Sequence, residues 1–119
     1  MRRGAFLIVF AFVIAGCSRN ERLAMIDQPI QSSLVAEVEA KSRAFATRND
    51  LAFTDHIRDR EGYVSLQNRN LKIRTTIHKE RLRIIALGPV KPGSVELAIR
   101  YINEVAPGGP HIISEPRAR

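Results

Sequence analysis

Alternation of apolar and polar side chains between Tyr63 and Ala86 is the feature that most constrains how this 119-residue chain can fold. Apolar residues occupy every second position in three short segments, which are separated by Asn68-Arg69-Asn70 and by Lys79-Glu80. A period of two places one side of a strand in the core and the other in water.

Turns centred on Arg69-Asn70 and on Lys79-Glu80 would put the apolar side chains of all three strands on one face. That register has three cross-strand pairs: Leu66 with Ile73, Ile77 with Leu82, and Thr75 with Ile84. Neither turn contains the Asn-Gly or Asp-Gly pair favoured in two-residue hairpins, so a loop one residue longer stays open.

Amphipathic segments on both sides of these strands predict two helices. The first extends from Pro29, with Asp27 as its cap, to about Arg48, and its apolar positions recur at helical spacing. The second begins at Ser94, a typical capping residue, and ends near Val105. Pro and Gly residues after that point stop regular structure.

The order of these segments predicts an α+β fold. Leu51 to Ile57 also alternates, so the antiparallel meander has three to four strands, between an N-terminal and a C-terminal helix. Two amphipathic helices and a sheet with one apolar face predict a two-layer sandwich. Its helices cover one face of the sheet and leave the other face open to water.

The N-terminus carries a different kind of signal. Arg2 and Arg3 precede an apolar run of about a dozen residues, which is shorter than the ~20 that a helix needs to cross a bilayer. The run ends in Ile14-Ala15-Gly16-Cys17, and Cys17 is the single cysteine of the chain. This motif resembles the lipobox of bacterial lipoproteins. An ordinary secretory signal cleaved nearby, or an apolar N-terminus with a chance cysteine, is the alternative.

The resemblance to bacterial lipoproteins implies how the chain is processed and where it is held. It implies cleavage before Cys17, a diacylglyceryl thioether on the Cys17 sulfur and an acyl chain on the new amine, with no other cofactor. Ser18, rather than Asp, after the cysteine implies sorting to the outer membrane, facing the periplasm. Anchoring by more than one acyl chain is stable, because each buried methylene contributes about 0.8 kcal/mol.

These signals divide the chain into four parts. Residues 1–16 are the cleaved signal peptide, 17–28 a lipidated tether, 29–106 a single α+β domain, and 107–119 a basic tail rich in Pro and Gly. About 100 residues suffice for one core but not for two. With Cys17 committed to lipid, no disulfide is available, so stability must come from packing.

The open face of the predicted sheet is the candidate functional site. Its register gathers five side chains that can carry positive charge: Lys72, Arg74, His78, Arg81 and Arg83. Such a face would be strongly cationic and would attract an anionic partner, such as an envelope protein or an anionic polymer. The alternative is that Lys and Arg simply prevent unwanted strand pairing. Ile85 and Leu87, on the same face, favour a binding role.

Other classes of function find less support in the sequence. A formal charge of +7 is typical of nucleic-acid binders, but the envelope location and the absence of Trp argue against that partner. The three histidines, His56, His78 and His111, are scattered and offer no metal pair. Asp55, Asp59 and Glu61 alternate with arginines, which indicates a neutralised surface loop rather than an acid/base pair. We therefore expect neither an enzyme nor a small-molecule substrate.

Two functional hypotheses follow from these expectations. The first is a membrane-anchored, non-catalytic interaction module of the cell envelope, which binds an anionic partner through the basic sheet face. The second is a periplasmic inhibitor or an immunity-type lipoprotein that blocks a toxin or a hydrolase. A third possibility, an enzyme whose site is assembled from residues distant in sequence, would require a deep polar cleft.

Overall fold

The computed structural model describes residues 21–111 and 113. The lipobox with Cys17, the signal peptide and most of the predicted tail therefore lie outside the described residues. In chain order the elements are β1 (Glu21–Pro29), α1 (Val35–Arg48), β2 (Ala52–Asp55), β3 (Gly62–Gln67), β4 (Lys72–His78), β5 (Arg81–Gly88) and α2 (Pro92–Val105). One 3-10 turn, Ser32–Leu34, precedes α1.

The five strands form one antiparallel sheet in the order β1-β5-β4-β3-β2. Strands β2 to β5 are the expected meander, and β1 adds a fifth strand beside β5. Helices α1 and α2 contact each other, and both pack against strands. The fold is therefore the predicted two-layer α+β sandwich.

The predicted register of the meander is confirmed. All three expected cross-strand pairs are present: Leu66 with Ile73, Ile77 with Leu82, and Thr75 with Ile84. Each of these six residues is almost fully buried, so the inward face of the sheet is continuous. One-sided burial fixes the register, because a slip by one residue would move this whole set into water.

Both hairpins turn at the predicted residue pairs, although neither contains an Asn-Gly pair: Lys79 and Glu80 join β4 to β5, and residues 68–71 join β3 to β4. Lys79 and Glu80 have φ values of 50° and 61°. Positive φ at both central positions is the type I′ geometry, whose twist matches that of the flanking strands. In the other loop the Asn68 N–H donates to the Leu71 carbonyl at 2.9 Å. The register is centred on Arg69-Asn70 and on Lys79-Glu80, so it is not that of a loop one residue longer.

Strand β1 corrects the predicted tether. Residues 21–28, which the sequence predicts as tether, pair with β5 along the edge of the sheet, so they belong to the domain rather than to the tether. Leu23 and Ala24 are both buried, and the register shifts between Arg22 and Ala24. This bulge breaks the period of two and hides the strand in the sequence. Pro29 is tolerated because β1 is an edge strand.

The starts of the two helices also differ from the prediction. Helix α1 begins at Val35 rather than at Pro29, since the Ile30 N–H still bonds to the Glu80 carbonyl at 3.0 Å and the chain then crosses to the helix layer. Helix α2 begins at Pro92 instead of Ser94. Proline is favoured in the first turn because its missing N–H has no partner there in any case.

Tyr101 of α2 is fully buried in the core. Among the described residues, the only buried hydrogen bonds between side chains are those of the Tyr101 hydroxyl. Its hydroxyl lies 2.8 Å from the Ser42 hydroxyl of α1 and 2.6 Å from the Thr75 hydroxyl of β4. The Phe45 ring packs edge-on against it at 5.1 Å between centroids. Burial raises the pKa of the Tyr101 phenol, partly opposed by the two hydroxyl contacts. One side chain thus joins both helices to the sheet.

We expect Tyr101→Phe to destabilise the domain, because it leaves the buried Ser42 and Thr75 hydroxyls without their shared partner. The free energy of unfolding should fall by about 1–3 kcal/mol. Tyr63→Phe is the matched control, since Tyr63 lies on the open face, and it should change stability by less than about 0.5 kcal/mol. Urea denaturation measures both. Equal losses in the two variants would contradict the role of the Tyr101 hydroxyl.

Candidate functional site

The structure places all five side chains that the sequence proposed for the site on one face of the sheet, but only His78, Arg81 and Arg83 line the same depression. They alternate with the buried residues of β4 and β5, and therefore lie on the face away from the helices. Lys72 is paired with Leu87, Arg74 with Ile85, and His78 with Arg81. Arg83 is paired with Thr76 of β4. Their use in binding stays a prediction.

Strand β1 adds residues to this face that the sequence analysis placed elsewhere. Asp27, expected to cap a helix, lies opposite Arg83 in the β1–β5 ladder. Met25 lies opposite Ile85 in the same ladder. The open face is thus wider than predicted and contains a carboxylate at its edge.

The Asp27 carboxylate binds two arginines at once. Its Oδ1 accepts from Nε and Nη2 of Arg81 at 3.2 and 2.8 Å, and its Oδ2 accepts from Nε and Nη2 of Arg83 at 3.2 and 3.1 Å. Hydrogen bonds from Arg81, and then from Arg83, hold the pKa of the Asp27 carboxyl below its usual range. The two guanidinium groups are therefore held side by side, with one of their two charges balanced.

A shallow depression of about 560 Å³ surrounds this cluster, which we name the arginine depression. It is lined by Asp27, Thr76, His78, Lys79, Arg81, Arg83 and Ile85. This lining includes three positively charged side chains, those of Lys79, Arg81 and Arg83, and one carboxylate, that of Asp27. The depression is the part of the open face whose shape and charge best suit an anionic group.

Two of the remaining site residues, Arg74 and His78, have partners of their own. The Arg74 guanidinium lies 4.3 Å from the centre of the Tyr63 ring, a cation–π contact. The His56 ring packs on Tyr63 at 4.8 Å between centroids. The Nδ1 atom of His78 is 3.6 Å from a Glu61 carboxylate oxygen. The face is therefore less cationic than the sequence of β3 to β5 alone predicted, because Asp27 and Glu61 lie among its basic groups.

Of the three carboxylates considered for acid/base chemistry, Asp59 and Glu61 lie exposed between β2 and β3, as expected, whereas Asp55 is the last residue of β2. Asp55 accepts a hydrogen bond from the Ile57 N–H at 2.9 Å and lies 3.7 Å from Nη2 of Arg43. Partial burial, together with the neighbouring Asp55 carboxyl, raises the pKa of Glu39, which α1 places beside it. Sequence reasoning missed this contact because Glu39 is distant in the chain. Within residues 21–111 and 113, no group of three metal-ligating side chains forms.

Comparisons with known proteins were negative: no protein-family model matches this chain, and no curated protein gives a significant match. In the part of the chain that the structure describes, no helix is long and apolar enough to cross a bilayer.

The Asp27 cluster predicts a distinctive titration. Asp27 should lose its proton below the value of about 3.9 that is usual for Asp, and Arg81→Gln with Arg83→Gln should raise its pKa towards that value. Carboxyl chemical shifts, followed by NMR against pH, measure this. Arg100→Gln on α2 is the control and should leave the Asp27 titration unchanged.

The lowered pKa of Asp27 also determines how the stability of the fold changes with pH. A carboxyl whose pKa is lower in the folded state contributes stability above its unfolded pKa, and that contribution is lost as pH falls through its folded pKa. Asp27→Asn should remove this acid-dependent component. An Asp27 that titrates at its usual pKa in the parent chain would contradict the cluster.

Proposed function

We propose that this chain is a lipid-anchored protein of the bacterial cell envelope that acts as a non-catalytic interaction module. Its anchor is acylated Cys17, and its docking site is the arginine depression on the open face. The partner presents an anionic group there. The lipobox-like motif supports the location, and the paired guanidinium groups support the binding chemistry.

The observation that carries the proposal is the shared carboxylate between Arg81 and Arg83. Both arginines use Nε and Nη2 on Asp27, so neither Nη1 atom has a hydrogen-bond partner among the described residues. Side chains fixed in this way lose less conformational entropy when they bind. Two unengaged guanidinium edges can then donate to a carboxylate or phosphate, the geometry in which arginine binds such groups best.

Side-chain exposure supports docking rather than an internal structural role. The side chains of Arg81 and Arg83 are 56% and 58% exposed, and that of Asp27 is 31% exposed. Exposed ion pairs contribute little to stability, typically less than about 1 kcal/mol each. Holding two arginines together at the surface is thus of more use for recognition than for folding.

Crosslinking from the depression tests the docking site. A photoreactive amino acid at Thr76, which lines the depression, should give a discrete adduct in intact envelopes of a Gram-negative host. Arg81→Gln with Arg83→Gln should reduce that adduct about ten-fold or more, because two charge-assisted hydrogen bonds are removed.

The matched probe at Ala44 is exposed on α1, in the opposite layer, and should not give this adduct. An identical adduct from Ala44, or a Thr76 adduct that persists in the double variant, would contradict docking in the arginine depression.

The anchor has its own test. Intact mass and membrane fractionation of the expressed chain should show a protein that begins at Cys17 and carries acyl groups. Cys17→Ser should lose both the acyl groups and the membrane association. A soluble, unprocessed parent chain would contradict the envelope location.

A further inference from the structure

The end of the sheet next to the predicted anchor has a composition suited to a membrane surface. Strand β1 begins at Glu21, only four residues after Cys17. A fully extended chain spans at most about 3.3–3.6 Å per residue, so Glu21 can lie no more than about 14 Å from the acylated cysteine. This is close to the Debye length of about 8–10 Å at physiological ionic strength, so charges at this end experience the field of the membrane.

Several basic side chains lie at this end. Arg22 is paired with Leu87, and Leu87 with Lys72, so these three residues form one row across neighbouring strands. Since strands lie about 4.8 Å apart, the row is about 10 Å wide. Arg69 is in the adjacent turn, which packs so closely that a Cβ atom at Gly88 would lie 2.4 Å from the Asn70 carbonyl oxygen.

Exposed apolar side chains occur at the same end. Of the described residues, the large hydrophobic side chains that remain exposed are Met25, Leu87 and Val90, at 39%, 37% and 39%. Leu87 is in the row just described, Met25 is in the next row, and Val90 follows β5 by two residues. Lys91 comes directly after Val90 and is exposed.

We propose that these residues form a patch that rests on the headgroups of anionic phospholipids in the membrane that holds the anchor. The anchor-end patch consists of Arg22, Arg69, Lys72, Leu87, Val90 and Lys91. Basic groups attract the lipid phosphates, and the apolar side chains enter the interface between headgroups and acyl chains. Carboxylates also occur at this end: Glu21 at the start of β1, Asp50 before the strand at the opposite edge of the sheet, and Glu96, exposed near the start of α2.

Contact at the anchor-end patch would orient the whole domain. Asp27 is five residues along β1 from Arg22, a distance of about 17 Å at 3.3 Å per residue. Lys79, in the turn at the other end of β4 and β5, is still farther along the sheet. The arginine depression would therefore face away from the lipid, towards the periplasmic space. This inference rests on the proposed lipid anchor and adds a second, non-covalent contact to it.

An environment-sensitive fluorophore at the patch tests the contact. The acylated sulfur of Cys17 cannot be labelled, so Val90→Cys gives a single labelling site in the lipidated full-length protein. After reconstitution into vesicles that contain phosphatidylcholine and phosphatidylglycerol, the emission should shift to shorter wavelength, and nitroxide-labelled lipids should quench it. In phosphatidylcholine alone, both effects should be smaller. Ala36→Cys, exposed in the first turn of α1, is the matched probe and should show neither effect.

Variants without basic residues of the anchor-end patch distinguish contact through the patch from attachment through the lipid anchor. Each basic residue near an anionic surface strengthens contact about five-fold, so Arg22→Gln with Lys91→Gln should lower the contact equilibrium of the Val90 label about 25-fold. Arg58→Gln with Arg60→Gln, in the hairpin at the far end of the sheet, removes the same charge and should have no effect.

The outcomes distinguish the inference from the proposed function. A lipidated chain whose Val90 label behaves like the Ala36 label would overturn the patch and leave the anchor intact. Equal shifts with and without phosphatidylglycerol, unaffected by the loss of Arg22 and Lys91, would overturn recognition of anionic headgroups. A purified chain that carries no acyl groups and does not float with vesicles would overturn both proposals.

Discussion

The pairing of β1 with β5 is the interaction on which the rest of this structure depends. It buries Leu23 and Ala24, closes one edge of the meander and brings Asp27 to the two arginines of β5. Without β1, an unpaired β5 edge would expose a row of backbone N–H and C=O groups. With it, the described domain includes residues 21–28, and β1 lies only four residues after Cys17 in the sequence instead of at the end of a long tether.

This short connection gives the molecule two unlike ends. One end of the sheet has exposed apolar residues beside Arg22 and Lys72, close to the proposed anchor. The other end has the arginine depression, in which Asp27 balances one of two guanidinium charges. A protein held at a membrane gains from such polarity, since one surface can lie on lipid while the other remains accessible to a partner. Between these ends, Tyr101 links both helices to β4 through the hydrogen bonds of its hydroxyl.

The sequence predicted the meander well and the site only in part. Leu66 and Ile73 lie in segments with strict alternation, and one-sided burial allows a single register for them. The β1 segment has a bulge that interrupts its alternation, and an Asp followed closely by Pro resembles a helix start. The sequence therefore predicts that Asp27 caps a helix, and it does not indicate the pairing of Asp27 with Arg81 and Arg83. Contacts between residues far apart in the chain, such as Glu39 with Asp55, leave no local pattern to read.

Hydrogen exchange along β1 tests the central claim most directly. The Ile30 N–H bonds to the Glu80 carbonyl, and hydrogen-bonded positions alternate in an antiparallel ladder, so the amides of Ile26 and Gln28 should point to β5. We predict slow exchange at these two amides. We predict fast exchange at the amides of Met25 and Asp27, whose N–H groups point away from β5. Uniformly fast exchange from residue 21 to residue 28 would show that this segment is a tether after all, and would contradict both the Asp27 cluster and the short connection to the anchor.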